Sequence, residues 1–124
     1  MDHSNGFLAV VKDAKSRVRE IDLAEFQKMQ SAGEEFTLID VREDLEWGAG
    51  HAVGAVHLSK GVIERDIERT IPDPGKKLVL YCGGGFRSAL AADAIGKMGY
   101  TNALSLNGGW KAWVAAGMPV TGSA

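Results

Sequence analysis

Residues 77–92 read KLVLYCGGGFRSALAA, and they pass from an apolar run, Leu78-Val79-Leu80-Tyr81, through the chain's only cysteine and three glycines into an alanine-rich segment. That order predicts a strand, a tight loop and a helix. Where a parallel strand gives way to a helix, the first N–H groups of the helix have no partner and face the crevice at the strand's carboxyl end. Gly83, Gly84 and Gly85 can adopt positive φ and let the backbone approach a ligand closely. Cys82 therefore stands at the mouth of an anion cradle. Arg87 is the nearest cation; it cannot act as a base at neutral pH, so its expected role is to attract an anion or steady a thiolate. A lone cysteine is more often a small buried hydrophobe than a nucleophile. The conjunction of strand, thiol, glycines, guanidinium and helix is what argues for chemistry here.

The 124 residues are expected to form a single domain, 1–124. One cysteine leaves no internal disulfide, and one cysteine with three histidines supplies too few ligands for a Cys/His zinc site, so no metal is expected. A net charge of −2 with both signs mixed along the chain makes no basic stripe for nucleic acid. The apolar stretches are too short for a secretory signal or a bilayer span. These features favour a cytoplasmic protein, a monomer or weak homodimer, with neither nucleic acid nor membrane as partner.

Outward from the central stretch, Phe7, Val10, Val11, Ala14 and Val18 recur at helical spacing and predict a helix over 7–18. Asp22 and Glu25 have capping-box spacing ahead of a second helix ending near Gly33, with an extended piece from Val18 to Ile21 between the two. Phe36 to Val41 is a nearly continuous apolar run, the pattern of a strand covered on both faces. A helical turn over 43–50, a strand at Val56-His57-Leu58 and a surface helix over 62–70 follow, closed by the turn Pro72-Asp73-Pro74-Gly75. Beyond the central loop come a helix over 88–99, a strand at Ala103-Leu104-Ser105-Leu106 and a last helix carrying Trp110 and Trp113. Alternating strands and helices on short connections predict an α/β fold: an open, mainly parallel five-stranded sheet with helices on both faces.

Several separate motifs together resemble the rhodanese family of sulfurtransferases, from about Val18 to Val120, leaving 1–17 as an N-terminal helical extension. They are Leu38-Ile39-Asp40-Val41-Arg42, Glu46 with Gly50-His51-Ala52-Val53-Gly54-Ala55, Tyr81 to Ala89, and Gly108-Gly109-Trp110 with Gly117-Met118-Pro119-Val120. The resemblance implies that Cys82 attacks a sulfane sulfur, carries it as a persulfide and passes it to a thiophilic acceptor such as cyanide, a thiol or a protein. It implies that Gly83, Gly84, Gly85, Phe86, Arg87 and Ser88 form the loop that cradles the sulfur. Thiosulfate, mercaptopyruvate and persulfides are the donor classes it suggests, and no cofactor is needed. A non-catalytic persulfide carrier is the alternative. Cys82 and Arg87 enclose four residues, where the cysteine phosphatases have five, so the loop suits sulfur better than phosphate or arsenate. It differs from the thiosulfate-cleaving members in having no charge at Gly83, Gly84 or Gly85.

Asp40 and Arg42 are expected to be a salt-bridged or hydrogen-bonded structural pair, with orienting the active-site loop as the alternative, and Trp110 is expected to pack in the core near that loop. His51 and His57 lie among small and apolar residues and read as structural histidines, and His3 as solvated tail. Phe86 stands at the rim of the pocket, where water exclusion, partner contact and local packing are all open.

Overall fold

The computed structural model describes residues 3–122. In chain order the elements are α1 (Asn5–Lys15), β1 (Arg19–Ile21), α2 (Leu23–Ser31), β2 (Thr37–Asp40), α3 (Asp44–Ala49), β3 (His51–Ala52), β4 (Val56–His57), α4 (Ile63–Thr70), β5 (Leu78–Tyr81), α5 (Phe86–Gly96), β6 (Ala103–Leu106), α6 (Gly109–Ala115) and β7 (Val120–Thr121). Five strands make one sheet in the order β1-β6-β5-β2-β4, and every neighbouring pair is parallel. The fold class is therefore the expected one.

β5 lies at the centre, and all four of its residues are buried, because the sheet is covered on both sides. Period-two alternation sends Leu78 and Leu80 into one core with Ile63 and Ile67 of α4 and Ala91, Ala92 and Ile95 of α5. Val79 and Tyr81 face the opposite core, built on Phe26 and Met29 of α2 and Trp113 of α6. Each such apolar side chain contributes about 1.5–3 kcal/mol on burial, and the strand that delivers Cys82 is the one strand of the sheet with every residue buried.

The capping box forms: the Asp22 carboxylate accepts from the Glu25 N–H at 2.8 Å, and the Asp22 N–H donates to Glu25 at 3.3 Å. Two expectations need correction. The first helix runs Asn5–Lys15 rather than 7–18, because Ser4 caps it by accepting from the Phe7 N–H. The helix after the loop begins at Phe86 rather than Ser88, since Gly85 at φ +109° is its N-cap; Phe86 and Arg87 belong to its first turn. A second, two-stranded antiparallel sheet pairs His51 with Thr121 and Ala52 with Val120, a pairing too short to leave a period-two signature.

Candidate active site

β5 ends at Tyr81, and Cys82 follows with its side chain almost wholly buried. Its sulfur accepts a hydrogen bond from the Gly85 N–H at 3.1 Å. The N–H groups of Phe86, Arg87 and Ser88 open α5 and have no partner within the helix. The left-handed conformation of Gly85 folds the loop back over the sulfur, and a β-carbon there would stand 3.5 Å from Asn107 and from the Gly108 nitrogen.

The loop's carbonyls are drawn the other way. The Trp110 N–H donates to the Cys82 carbonyl at 2.7 Å and the Lys111 N–H to the Gly83 carbonyl at 3.1 Å. With these oxygens taken up by the first turn of α6, the peptide planes present their N–H edges to the sulfur side. Gly109, at φ +45°, makes this approach possible: a β-carbon on it would lie 2.3 Å from the Cys82 carbonyl oxygen. Among sequence features only the two glycines before Trp110 marked this contact.

Behind the sulfur sit two buried hydroxyls. Ser88 Oγ is 3.5 Å from the Cys82 sulfur and 2.8 Å from Ser105 Oγ, and both serines are fully buried. Ser105 was not among the expected site residues. Its signal was present as a polar residue inside the apolar strand Ala103-Leu104-Ser105-Leu106, but only the β5–α5–β6 packing shows that it faces Ser88.

Arg87 is engaged by Glu46, Nη1 to Oε1 at 2.6 Å and Nη2 to Oε2 at 3.0 Å. This bidentate pair holds the Glu46 carboxyl below the usual carboxylate range and raises the Arg87 guanidinium. Glu46 Oε1 also accepts from the Glu43 N–H, which ties the pair to the start of α3. The guanidinium covers Gly83, lying 3.1 Å from where a β-carbon would stand. The loop's cation is thereby charge-balanced.

Asp40 and Arg42 are both buried and form an ion pair, Arg42 Nη2 to Asp40 Oδ2 at 2.8 Å. Arg42 also donates to the Gly50 carbonyl at 2.7 Å, and its guanidinium lies 4.4 Å over the Trp110 ring. The Tyr81 hydroxyl donates to Asp40 and accepts from the Ala52 N–H; burial, then the bond to Asp40, pushes it above the usual phenol range. These residues fasten the ends of β2 and β5 to β3 and α6. None of them is in hydrogen-bond contact with the Cys82 sulfur. His51 stacks on Trp47 at 3.4 Å and pairs with the Trp47 carbonyl, while His57 pairs with the Arg42 carbonyl at 2.8 Å, so both are structurally engaged.

Phe86 is half-buried against the N-terminal extension, 6.1 Å from Phe7 and 5.0 Å from His3, with Lys15 Nζ 4.9 Å above its ring. Local packing accounts for it, and His3 is an aromatic contact rather than a free tail. Among the described residues no helix is long and apolar enough to cross a membrane.

The chain is similar to several known proteins. The chain is 33% identical over 116 residues to "Probable adenylyltransferase/sulfurtransferase MoeZ" of Mycobacterium tuberculosis, covering 91% of this chain but only 30% of that protein's length. A sulfurtransferase of Allochromatium vinosum is 30% identical over 103 residues, 83% of this chain and 94% of that one. A solved structure from Rhodopseudomonas palustris, "Protein of Unknown Function RPA3614, Possible Tyrosine Phosphatase", superposes with a TM-score of 0.82 at 29% identity, covering 98% of each chain. The family model "Rhodanese-like domain" matches residues 22–116. With that match spanning β2, β4, β5 and β6 of the sheet, the Cys82 loop and the α6 turn that holds it, the chain belongs to the rhodanese-like domain family.

Proposed function

We propose that the protein is a sulfurtransferase in which Cys82 carries sulfane sulfur as a persulfide. The observation that carries this reading is the sulfur's position: Cys82 Sγ already accepts the Gly85 N–H at 3.1 Å at the threshold of a helix whose first N–H groups are unspent. The thiolate attacks the transferable sulfur of a donor: with thiosulfate or a persulfide the S–S bond breaks and its electron pair leaves on sulfite or a thiolate, and with mercaptopyruvate the C–S bond breaks and its pair leaves on the pyruvate enolate. The added sulfur bears the negative charge, and the backbone N–H groups from Gly83 to Ser88 stabilise it. A thiophilic acceptor such as cyanide or a thiol then attacks that outer sulfur and returns Cys82 to the thiolate. Because the nucleophile enters as an anion, no side-chain base is required.

A carrier that receives its sulfur from a protein is the second reading, and one observation favours it. With Arg87 balanced by Glu46 and no charge at Gly83, Gly84 or Gly85, the loop offers little net attraction to a small dianion. The phosphatase chemistry in the name of RPA3614 fits less well. Four residues between Cys82 and Arg87 make a narrow cradle, and the guanidinium such chemistry aims at phosphate is here turned to Glu46.

Intact mass after incubation with thiosulfate, mercaptopyruvate and glutathione persulfide tests the proposal. A gain of one sulfur, about 32 Da, removed by cyanide and absent in Cys82→Ser, is the expected result of the covalent mechanism. Turnover of a phosphate ester that is lost in Cys82→Ser, with no sulfur gained from any donor, would overturn it.

A further inference from the structure

Two hydroxyls lie behind Cys82 that the sulfur-transfer steps above do not use. Ser88 sits on the apolar face of α5, three, four and seven residues ahead of Ala91, Ala92 and Ile95. Ser105 lies in β6 between Leu80 of β5 and Glu20 of β1. Ala103 packs against the core that holds Cys82 and α5, and Ser105, two residues on, shares that face of the strand. Both serines are fully buried. Alanine at either position would complete an apolar layer, and a buried hydroxyl is costly there unless it is hydrogen-bonded. Charged neighbours on the surrounding elements are already paired: Arg87 with Glu46, Arg42 with Asp40, and Lys15 with Glu20 at 3.2 Å.

Ser88 Oγ is 2.8 Å from Ser105 Oγ and 3.5 Å from the Cys82 sulfur, and Ser105 Oγ has no other hydrogen-bond partner among the described residues. Each hydroxyl has one proton to donate. With Cys82 as the thiolate both protons find acceptors, since Ser105 donates to Ser88 and Ser88 donates to the sulfur. With Cys82 as the thiol no arrangement satisfies every donor. Either the S–H donates to Ser88, Ser88 donates to Ser105 and the Ser105 proton has no acceptor, or the hydroxyls keep the first arrangement and the S–H loses Ser88 as its acceptor. A buried donor left unsatisfied is unfavourable, and a hydrogen bond to an anion is stronger than one to a neutral sulfur.

We propose that Ser105 is a positioning residue for Cys82: acting through Ser88, it directs a hydrogen bond at the sulfur when that sulfur is anionic, and so favours the thiolate over the persulfide. The inference rests on Cys82 being the sulfur carrier. In the persulfide Sγ is a neutral bridging atom and the charge has moved to the outer sulfur, so the pair of hydroxyls stabilises that state less. When an acceptor attacks the outer sulfur, the S–S bond breaks and its electron pair returns to Sγ, where Ser88 again donates to an anion. A better-stabilised thiolate is a better leaving group. Cys82 is thereby set to release sulfur rather than to retain it.

The test compares Ser105→Ala, Ser88→Ala and the double variant with the unaltered protein in two measurements. One is the rate at which preloaded Cys82 gives its sulfur to cyanide, read by intact mass; the other is alkylation of the unloaded protein by iodoacetamide across a range of pH. Ser105→Ala is expected to slow release about two- to fourfold and to move the alkylation profile toward higher pH, the effect of one polarising bond withdrawn from a charged acceptor. In the Ser88→Ala background the same substitution should change neither, because Ser105 reaches the sulfur only through Ser88. Release and alkylation unchanged in Ser105→Ala, or changed equally with and without Ser88, would overturn the inference while leaving Cys82 as carrier. Loading of the unaltered protein by no donor would remove the sulfurtransferase reading and the release step with it, and the alkylation profile would still decide whether Ser105 favours the thiolate.

Discussion

Arg87 grips Glu46 through two bonds of 2.6 and 3.0 Å instead of extending over the Cys82 sulfur. The pair is half-buried, so it is worth about 1 kcal/mol or less to the fold, but it decides the charge presented at the mouth of the cradle. Glu46→Gln leaves the shape and releases the guanidinium. Loading by thiosulfate is expected to rise about 3–10-fold, the effect of one uncovered charge at partly screened range. The sign of the stability effect follows from the depressed Glu46 carboxyl. Its contribution is present above the unfolded value of about 4.3 and is lost as pH falls through the lower folded value. Urea unfolding at pH 7 and pH 3 should show Glu46→Gln weakening the protein more at the first pH than at the second.

The turn before α6 holds the loop by contact with its carbonyls. Gly109→Ala would place a β-carbon 2.3 Å from the Cys82 carbonyl oxygen, at a φ of +45° that side chains rarely adopt. The backbone strain alone costs about 1–3 kcal/mol. Relief of the clash must displace the loop or α6, so the rate of persulfide formation should fall by more than the loss in thermal stability accounts for. A loading rate that declines only in step with unfolding would contradict this account.

Ser88 and Ser105 share a hydrogen bond of 2.8 Å in a site with no exposure, 3.5 Å from the sulfur. Removing Ser88 orphans the Ser105 hydroxyl, at about 1–3 kcal/mol, and removing Ser105 leaves Ser88 only the Cys82 sulfur at 3.5 Å, while removing both costs little beyond the two lost groups. Ser88→Ala and Ser105→Ala are therefore expected to be non-additive, with the double variant more stable than the sum of the singles predicts. In chemical denaturation, strict additivity would disprove the coupling. Ser88→Ala should also change the rate of Cys82 alkylation by iodoacetamide more than Ser105→Ala does, since only the Ser88 hydroxyl is in hydrogen-bond contact with the sulfur.

Asp40 and Arg42 are an ion pair taken fully out of water. Breaking it from one side leaves an uncompensated charge, and Asp40→Asn should destabilise the protein by about 3–5 kcal/mol. The Tyr81 hydroxyl loses its charged acceptor in the same step. Unfolding midpoints in urea measure the loss. A change below about 1 kcal/mol would mean that the pair adds nothing beyond its own desolvation.

The amino-acid sequence by itself determined the sheet and the place of Cys82 at the end of its central strand. Leu78-Val79-Leu80-Tyr81 is apolar at every position because a central parallel strand is covered on both faces, and the capping box at Asp22 and Glu25 is a local bond between residues three apart. Such signals are carried within one element. What only the tertiary structure decided is where side chains distant in the chain spend their charge and their hydrogen bonds. Arg87 finds Glu46 across 41 positions, Ser88 finds Ser105 across 17, and Phe86 packs under Phe7 of the extension. The physical reason is that a guanidinium or a hydroxyl can be satisfied equally well by a ligand or by a neighbour, and nothing local to the residue distinguishes them. The strand-to-helix turn made Cys82 legible; the competition for Arg87 was settled by the packing of α3 against the loop.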